Sequence, residues 1–367
     1  MDEPKVYHFL GYDHDRGGVL SAIRLIASAG GTHTLVVNPG FEQRRTPQLP
    51  VHFGPAVPVE VIAPRSVWPA LRAALSLLRP LRENGAVLHA HSRPGLLVAL
   101  WLWLLGQDAV LVSPHCYAHH RWLYRWAADW LGDRWTWLSP AMKHHYGSGG
   151  VNWRGCLPEP AALEARPRRQ GKRSSDARIV VGGAGTLVEW KGWHLVLAAL
   201  ATLSPADRRR FRFVHIGDCD GTAESNAYRA RLAKDVETFD LAAQIEWRGW
   251  QPNSQSLLEE ADVVVVPSRD EPMALTGLEA LAAGVPLLVA DTGGLNDIVT
   301  PGYDALVFRT GDAGDLARRI TELLHGEFLA RGGRPSSRLE TVEVRRVAAA
   351  WRERYLAASG EAGGHVV

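Results

Sequence analysis

The sequence contains few cysteines, three in 367 residues. Cys116, Cys156 and Cys219 are odd in number and widely spaced, so they predict neither a disulfide framework nor a zinc-binding pattern. Such sparse cysteines favour the reducing cytoplasm as the compartment. The amino terminus begins with acidic residues and runs directly into a strand-like segment, which argues against a signal peptide.

The sequence also lacks a strong net charge and a long hydrophobic run. Its 41 basic and 39 acidic side chains leave a net charge of +2, too balanced for a nucleic-acid-binding protein. The apolar run at residues 96–105 would span about 15 Å as a helix, half of the roughly 30 Å hydrocarbon core of a bilayer. It therefore predicts a buried helix rather than a membrane span.

Short apolar runs alternate with longer helical patterns, which predicts an α/β fold. The runs are continuously apolar, as in parallel strands covered by helices on both faces. Helices are predicted at 19–29, 68–82 and 120–131. The predicted strands are 5–10, 32–37, 59–63, 86–91, 109–115 and 135–140 in the first half, and 178–183, 212–217, 244–249, 261–268, 285–291 and 304–308 in the second.

A break in this alternation predicts two doubly wound domains. Residues 158–176 are rich in proline and charge and indicate an exposed linker. Residues 342–358 form a late amphipathic pattern and predict a separate helix. Doubly wound sheets bind ligands at the carboxyl ends of their strands, so a cleft between two such sheets is the expected site.

The most informative stretch follows the strand predicted at 261–268. A helix beginning near Ala274 would offer free amides and its positive dipole end to a phosphate. Glu271 precedes that helix and Glu279 lies about one turn inside it. A carboxylate can accept two hydrogen bonds from a vicinal diol, as found in ribose or a hexose. The pattern thus indicates a nucleotide-sugar site; the alternative is a capping Glu271 and a solvated Glu279.

These residues resemble the signature of the family 4 glycosyltransferases, retaining enzymes of the GT-B fold. The family pattern is an E-x7-E pair, a small-residue helix, G-x-P, a strand and D-x-G-G. The sequence supplies Glu271 and Glu279, then Gly284, Val285 and Pro286, then Asp291, Thr292, Gly293 and Gly294. Further matches cover most of the chain, at residues 17–19, 89–91, 113–115, 183–192 and 351–355.

The resemblance implies two Rossmann-like domains that face a central cleft. Residues 1–160, with the helix at 342–358 crossing back to them, would bind the acceptor, and residues 161–341 the nucleotide-sugar donor. Glu271 would hold hydroxyls of the donor sugar and Glu279 the ribose diol. These assignments describe a donor site built on one sheet of the chain.

The resemblance also implies a catalytic set and a phosphate cradle. Lys191 would neutralise the diphosphate leaving group, and His115 would hydrogen-bond a hydroxyl of the reacting sugar. Together with Glu271 these are the predicted catalytic residues. Backbone amides would complete the cradle, from Gly17, Gly18, Met273, Ala274, Leu275 and Thr276. No cofactor and no metal are expected, because Lys191 and the amides would do the work of a cation.

The implied reaction is the retaining transfer of a sugar from a nucleoside diphosphate sugar to an acceptor hydroxyl, in glycan, glycolipid or natural-product glycoside biosynthesis. The acceptor, a saccharide, a lipid-linked group or a small molecule, stays open. Thr186 stands where the family usually has an arginine, with Arg16, Arg269 or backbone amides as candidate substitutes. The alternatives are a nucleotide-sugar epimerase or hydrolase of the same fold and a catalytically silent nucleotide-sugar-binding partner protein.

Two helical patterns in the first half allow more than one interpretation. Trp122, Trp126 and Trp130 form a stripe that predicts core packing, with a surface that stacks on sugar or lipid as the alternative. Residues 68–82 are amphipathic and carry only arginines as charges, within a region of 15 basic and 11 acidic side chains at 1–160. A sheet-covering helix is the first interpretation, and peripheral contact with the inner membrane surface is the second.

Overall fold

The computed structural model describes residues 3–11, 18–28, 30–43, 47–57, 64–117, 120–147, 149–152, 178–325, 328–329 and 344–360. The chain divides into two compact units. Unit 1 comprises residues 1–156 and 341–367, and unit 2 comprises residues 157–340. The predicted linker at 158–176 and the predicted strand at 59–63 lie outside the described residues.

Unit 1 contains parallel strands with helices between them. Its strands are β1 Lys5–Phe9, β2 Thr32–Val37, β3 Val51–Phe53, β4 Val87–Ala90, β5 Val110–Val112, β6 Thr136–Trp137 and β7 Val151–Asn152. Its helices are α1 Gly18–Ala27, α2 Pro64–Asn84, α3 Arg93–Leu104, α4 Arg121–Leu131, α5 Pro140–Tyr146 and, from the end of the chain, α12 Val344–Ser359.

The first five strands form one parallel sheet in the order β3-β2-β1-β4-β5. The strand order reverses beside β1, which is the topological switch of a doubly wound sheet. His8 of β1 pairs with His89 of β4, and His33 of β2 pairs with Val6, two positions before His8, so the three histidines lie on the same face of neighbouring strands. The segment predicted as a strand at 135–140 contacts this sheet only through one parallel bridge, between Trp135 and Val112 of β5. Its strand β6 pairs with β7 in a two-stranded sheet.

Helix α12 completes the core of unit 1 by packing on α1 and β4. Trp351 and Tyr355 each retain only 1% of their side-chain exposure there. Tyr355 OH lies 2.8 Å from Nδ1 of His89 on β4, across 266 residues of sequence. The last helix of the chain therefore belongs structurally to its first unit.

The tryptophan stripe of α4 corrects the prediction of core packing. Trp122, Trp126 and Trp130 are exposed to 67%, 49% and 41%. The opposite face of the helix is buried instead, through Leu123, Tyr124, Ala127, Ala128 and Leu131. Because both faces are apolar, the helical period identified a stripe without identifying the face that packs.

Unit 2 has the same layered architecture. Its strands are β8 Ile179–Ala184, β9 Phe211–Ile216, β10 Ile245–Trp247, β11 Val263–Val266, β12 Leu287–Ala290 and β13 Ala305–Phe308. Its helices are α6 Trp193–Thr202, α7 Pro205–Arg209, α8 Ala223–Thr238, α9 Gln255–Glu260, α10 Leu275–Ala282 and α11 Ala313–His325. The sheet is parallel throughout, in the order β10-β9-β8-β11-β12-β13.

The central strands of unit 2 are apolar at every position. All four residues of β11 and all four of β12 are buried. Phe211, Phe213 and Trp193 fill the core on which α6 and α11 pack. The doubly wound α/β fold predicted from continuous apolar strands is thus confirmed in both units.

Among the described residues, no helix is long and apolar enough to cross a membrane. The apolar run at 96–105 forms most of α3, where Leu96 and Leu102 are buried and Leu104 is 59% exposed.

Candidate functional site

The candidate site of unit 2 lies where β11 ends and the chain turns toward α10. Glu271, 8% exposed, occupies this turn. Its Oε2 is in contact with Nζ of Lys191, and Oγ of the buried Ser268 donates a hydrogen bond to the same oxygen over 3.1 Å. The structure therefore brings together two of the residues that the sequence predicts for donor chemistry, across 80 positions of sequence.

The Lys191–Glu271 ion pair is largely shielded from water. The two side chains are 18% and 10% exposed, so solvent screens their attraction less than on an open surface. The Lys191 ammonium also lies 4.4 Å from the centroid of the Trp190 ring, a cation–π contact. A lysine ammonium has three donors, and Glu271 takes one of them, so the group can also serve an anion.

Gly192 sets the position of Lys191. Its φ of +75° lies in the left-handed region, and a Cβ there would approach the carbonyl oxygen of Pro267 to 2.2 Å. Only glycine permits the chain to lie this close to the end of β11. The close approach carries the preceding Lys191 to the strand end that holds Glu271.

Gly293 and Gly294 fix the backbone of Glu271 from the other side. Gly293 has a φ of +76°, and a Cβ would lie 1.9 Å from the Glu271 carbonyl oxygen. The Gly294 amide donates a hydrogen bond to that carbonyl over 3.1 Å. The D-x-G-G segment is therefore a main-chain support for the glutamate.

The amino-terminal end of α10 has no side-chain cap. Ala274 is its N-cap residue and makes no capping hydrogen bond through its side chain. The first amides of a helix lack partners within the helix, so Leu275 and Thr276 present donors with a positive partial charge. Met273 and Ala274, 8% and 7% exposed, pack into the protein beside them.

Glu279 lies on α10 and has a different partner from Glu271. Ser254, which precedes α9, donates its hydroxyl hydrogen bond to Oε2 of Glu279. The carboxylate is partly exposed, in contrast to that of Glu271. The two glutamates of the E-x7-E pair thus occupy distinct surroundings.

Thr186 lies in the loop after β8, and its backbone is held by the core. Nε1 of Trp193 donates to the Thr186 carbonyl over 3.0 Å. Arg269, a candidate substitute for the absent arginine, has its guanidinium 3.8 Å from Glu189, which also pairs with Arg231 at 2.9 Å. Arg16, another candidate, lies outside the described residues.

The predicted residues of unit 1 meet different outcomes. Gly17 lies outside the described residues, and Gly18 is the first residue of α1. His115 follows β5 and is partly exposed, with Nε2 at 3.0 Å from Nδ1 of His91. Loss of hydration lowers the pKa of His115 to about 3, so its imidazole is neutral at pH 7.

His115 is the end of a chain of histidines that sequence reasoning missed. His91 Nε2 lies 2.9 Å from Nδ1 of His8, and His8 Nε2 lies 2.8 Å from Nδ1 of His33. At the far end, His33 Nε2 lies 3.1 Å from the carbonyl oxygen of Gly30. The available signal was a histidine inside an apolar strand, since His8 lies in β1 and His33 in β2.

Burial keeps the imidazole rings of the histidine chain uncharged. Desolvation is the main cause that lowers the pKa of His8, His33 and His91, and neighbouring histidines lower the pKa of His8 and His91 further. The adjacent His89 has its pKa lowered for the same reasons, with Arg354 adding to the effect. All of these rings are therefore neutral near pH 7.

A buried histidine group can also be compared with a metal site. Within the described part of the chain, His8, His89 and His91 bring ligand atoms within 4.8 Å of one another. His89, however, has Nδ1 at 2.8 Å from Tyr355 OH and Nε2 at 2.9 Å from Ser113 Oγ. The short nitrogen–nitrogen and nitrogen–oxygen distances fit a hydrogen-bonded network better than a set of ligands around one ion.

Comparison with known proteins relates the chain to sugar-transferring proteins. Residues 166–336 match the family model described as glycosyl transferases group 1. The 2-deoxystreptamine glucosyltransferase of Streptomyces kanamyceticus is 29% identical over 167 residues, which cover 45% of this chain and 41% of that protein. The chain thus matches about two fifths of the length of such curated relatives.

Solved structures match nearly the whole chain. Sucrose-phosphate synthase from Thermosynechococcus elongatus has a TM-score of 0.76 at 18% identity, with 98% of this chain and 100% of that chain covered. The Anabaena protein HepE in complex with UDP-glucose has a TM-score of 0.67 at 15% identity, with 97% of each chain covered. At these identities the likeness establishes the fold, two Rossmann-like domains of the GT-B type.

Proposed function

We propose that this chain is a family 4 (group 1) glycosyltransferase, which transfers a sugar from a nucleoside diphosphate sugar to an acceptor hydroxyl. The observation that carries the proposal is the shielded Lys191–Glu271 pair beside the uncapped start of α10. A cation and free helix amides suit a diphosphate, and a buried carboxylate suits the hydroxyls of a sugar. Unit 2 would bind the donor and unit 1 the acceptor.

The proposed reaction retains the configuration of the sugar. The bond from the anomeric carbon to the diphosphate oxygen breaks, and a bond from that carbon to the acceptor oxygen forms on the same face. The acceptor proton passes to the departing phosphate. Lys191 and the amides of Leu275 and Thr276 would stabilise the negative charge that grows on the leaving group, so the proposal uses no metal.

The two glutamates would serve different parts of the donor. Glu271, buried and held by Ser268 and Lys191, is proposed to bind hydroxyls of the sugar. Glu279, partly exposed and joined to Ser254, is proposed to bind the ribose diol. A sugar contact acts only before transfer, whereas a ribose contact persists in the nucleoside diphosphate product.

This division of roles can be tested with Glu271→Gln and Glu279→Ala. Calorimetry with nucleoside diphosphates should show that Glu279→Ala weakens binding by about 1.5–3 kcal/mol, the cost of losing a charged hydrogen-bond acceptor. Glu271→Gln should retain that affinity and lose turnover, measured by mass spectrometry of released or transferred sugar. Glu237→Ala on the exposed face of α8 is the control. Equal loss of nucleotide affinity in both variants would refute the assigned roles.

The same assay separates the alternative functions. A transferase yields a glycosylated acceptor and slowly releases sugar to water, a hydrolase yields free sugar, and an epimerase yields an altered nucleotide-sugar. A silent binding protein would retain nucleotide affinity and yield none of these products. The silent binding protein is one of the alternatives because Thr186 replaces the arginine that the family usually has in the phosphate loop.

Unit 1 is further proposed to contact an anionic membrane surface, where a lipid-linked acceptor would be found. Six of the ten exposed large hydrophobic side chains among the described residues lie on α2, α3 and α4. These six are Trp68, Leu75, Leu104, Trp122, Trp126 and Trp130. The three helices adjoin, since α2 packs on α3, and Trp103 of α3 contacts Trp130 with ring centroids 4.3 Å apart.

Charge supports a lipid surface rather than another occupant. Exposed arginines outnumber exposed acids on these helices, with Arg72, Arg79, Arg82, Arg121 and Arg125 against Glu83 and Asp129. Tryptophan and arginine on one surface are typical of a peripheral contact with anionic headgroups. The arginine-bearing helix predicted at 68–82 is part of this surface.

Vesicle sedimentation tests the membrane contact. The protein should bind vesicles that contain phosphatidylglycerol more strongly than phosphatidylcholine vesicles, and Trp122→Ser with Trp126→Ser should abolish the difference. Tyr303→Ser, which removes an exposed ring from unit 2, should bind like the unaltered protein. If the unaltered protein formed a dimer and bound no vesicles, and the double variant were a monomer, the surface would instead be assigned to contact with a second copy of the chain.

A further inference from the structure

The histidine chain of unit 1 runs through the sheet strand by strand. His33 lies on β2, His8 on the neighbouring β1, His91 directly after β4, and His115 after β5. Each link joins Nδ1 of one ring to Nε2 of the next, over 2.8, 2.9 and 3.0 Å. The same pair of atoms is used at every step, so the chain has a direction.

The Gly30 carbonyl determines that direction. A carbonyl oxygen only accepts, so His33 must carry its proton on Nε2 to make the 3.1 Å contact. A neutral His33 then has an acceptor at Nδ1, and His8 must donate to it from Nε2. In the same way His91 donates from Nε2 to His8, and His115 donates from Nε2 to His91, because each neutral ring has one donor and one acceptor.

We propose that His33, His8 and His91 are positioning residues that hold His115 in the tautomer protonated on Nε2. His115 then presents Nδ1 as a hydrogen-bond acceptor. The tautomer follows from hydrogen-bond directions within unit 1 and does not depend on the proposed function.

The surroundings of the chain keep all four rings neutral. Burial is the main cause that lowers the pKa of each ring, and a neutral ring is what the directional argument requires. The titratable groups that act on the histidine chain from neighbouring elements are Glu3 near His33, and His89 and Tyr355 near its centre. Arg354 acts on His89. Glu3 favours a charged His33, but desolvation outweighs it.

Ring-nitrogen NMR of the full chain, labelled with 15N at histidine, tests the tautomer directly. Long-range proton–nitrogen correlations distinguish a protonated from an unprotonated ring nitrogen, and His115→Gln identifies the His115 signals. At pH 7.5 we expect His115 to be protonated on Nε2 and unprotonated on Nδ1. A His115 protonated on Nδ1, or an even mixture of tautomers, in the unaltered protein would overturn the proposal without any further variant.

Variants distant from His115 test whether the chain imposes this state. His33→Phe removes the acceptor of His8, so His115, three links away, should change from one tautomer to a mixture. His33→Gln serves the same purpose if His33→Phe does not fold, because an amide can present either a donor or an acceptor to His8. An unchanged His115 spectrum in a folded variant would contradict the proposal.

His89→Gln is the matched control for packing. His89 belongs to the same buried group, with its ring centroid 3.9 Å from that of His91, but it bonds to Tyr355 and Ser113 rather than to the chain. Its replacement should leave the His115 tautomer unchanged. Loss of the His115 tautomer in this variant as well would show that packing, and not the chain, controls the ring.

A further readout concerns the competing metal site. Zinc titration followed through the ring nitrogens addresses the competing metal site. A stoichiometric shift of the His8, His89 and His91 signals would replace the hydrogen-bonded chain by a metal site.

Discussion

The two units share one architecture and bury polar groups in opposite ways. Unit 2 keeps a charged pair, Lys191 and Glu271, at the rim of its sheet, where the exposures are 18% and 10%. Unit 1 runs neutral histidines through its sheet, with His8 and His89 fully buried. A charge must stay near solvent or a partner, whereas a neutral imidazole needs only its hydrogen bonds. The same fold therefore gives one unit an electrostatic site and the other a hydrogen-bonded one.

This difference makes unit 1 the more acid-sensitive half. In unit 1 the buried His8, His33, His89 and His91 and the partly exposed His115 have lowered pKa values. In unit 2 only two histidines of the described residues do, the fully buried His215 and the partly buried His194. A histidine whose folded pKa is lowered contributes its full stability above the unfolded pKa, about 6.5, and loses it as the pH falls toward the folded pKa.

The largest expected effect is a loss of stability in unit 1 as the pH falls. Between pH 7.5 and 5.5, each histidine that stays neutral when folded should lower the free energy of unfolding by about 1.4 kcal/mol. With five such histidines in unit 1 and two in unit 2, unit 2 should lose less than half as much free energy of unfolding as unit 1. Hydrogen exchange at both pH values, corrected with unstructured peptides, can report on each unit within the intact chain. Equal loss of protection in the two units would contradict the comparison.

A tryptophan in each unit provides a second test. Trp351 and Trp193 are 1% and 2% exposed, and each fills the core of one unit. Replacement of a buried tryptophan by alanine costs about 3–5 kcal/mol. Trp351→Ala should therefore destabilise unit 1, and Trp193→Ala unit 2, as measured by the same exchange experiment.

The result for Trp351→Ala tests whether α12 belongs to unit 1 despite its distance in sequence. Trp351 lies more than 190 residues beyond the rest of unit 1, which ends at residue 156. If Trp351→Ala loosened unit 2 and spared residues 1–156, the assignment of α12 to unit 1 would be wrong.

Two glycines of unit 2 separate backbone conformation from close packing. Gly293 and Gly302 have φ values of +76° and +79°, but a Cβ would meet the Glu271 carbonyl at 1.9 Å in the first case and nothing within 4 Å in the second. Gly302→Ala should cost about 1–2 kcal/mol for the left-handed conformation alone. Gly293→Ala should cost more in urea unfolding and should also reduce donor turnover. Equal effects at both positions would show that Gly293 does not support Glu271.

The smallest expected effect is at Thr186. An arginine there would add a second cation beside Lys191, and a partly exposed charge pair contributes up to about 1 kcal/mol. Thr186→Arg should therefore tighten nucleoside diphosphate binding by about fivefold in calorimetry. Lys191→Ala should weaken binding. A weaker Thr186→Arg protein beside a normally binding Lys191→Ala protein would refute the role of Lys191 as the principal cation.

Much of the fold could be predicted from continuous apolar runs. Strands such as Val263–Val266 are apolar on both faces, and this property alone requires a covered parallel sheet. The contact of Lys191 with Glu271 joins residues 80 positions apart, yet both lie in family-like segments, so the motif located them. Local pattern and motif thus suffice where the physical cause is local or the segment is recognisable.

The remainder depends on contacts that no local pattern contains. His8 and His33 each look like an ordinary polar residue in an apolar strand, and their link to His115 appears only when four strands are aligned. The prediction that the tryptophans of α4 pack in the core was wrong for another reason. Helical period identifies a stripe, but the small side chains of Ala127 and Ala128 allow closer packing and take the buried face.

The return of α12 to unit 1 also imposes an order on folding during synthesis. Ribosomes release the chain from its amino terminus, so unit 2, contiguous at residues 157–340, emerges before Trp351 and Tyr355. Until those rings arrive, the face of α1 and β4 that they cover remains exposed. Unit 1 therefore completes its core only after α12 has been synthesised, and unit 2 can fold before that.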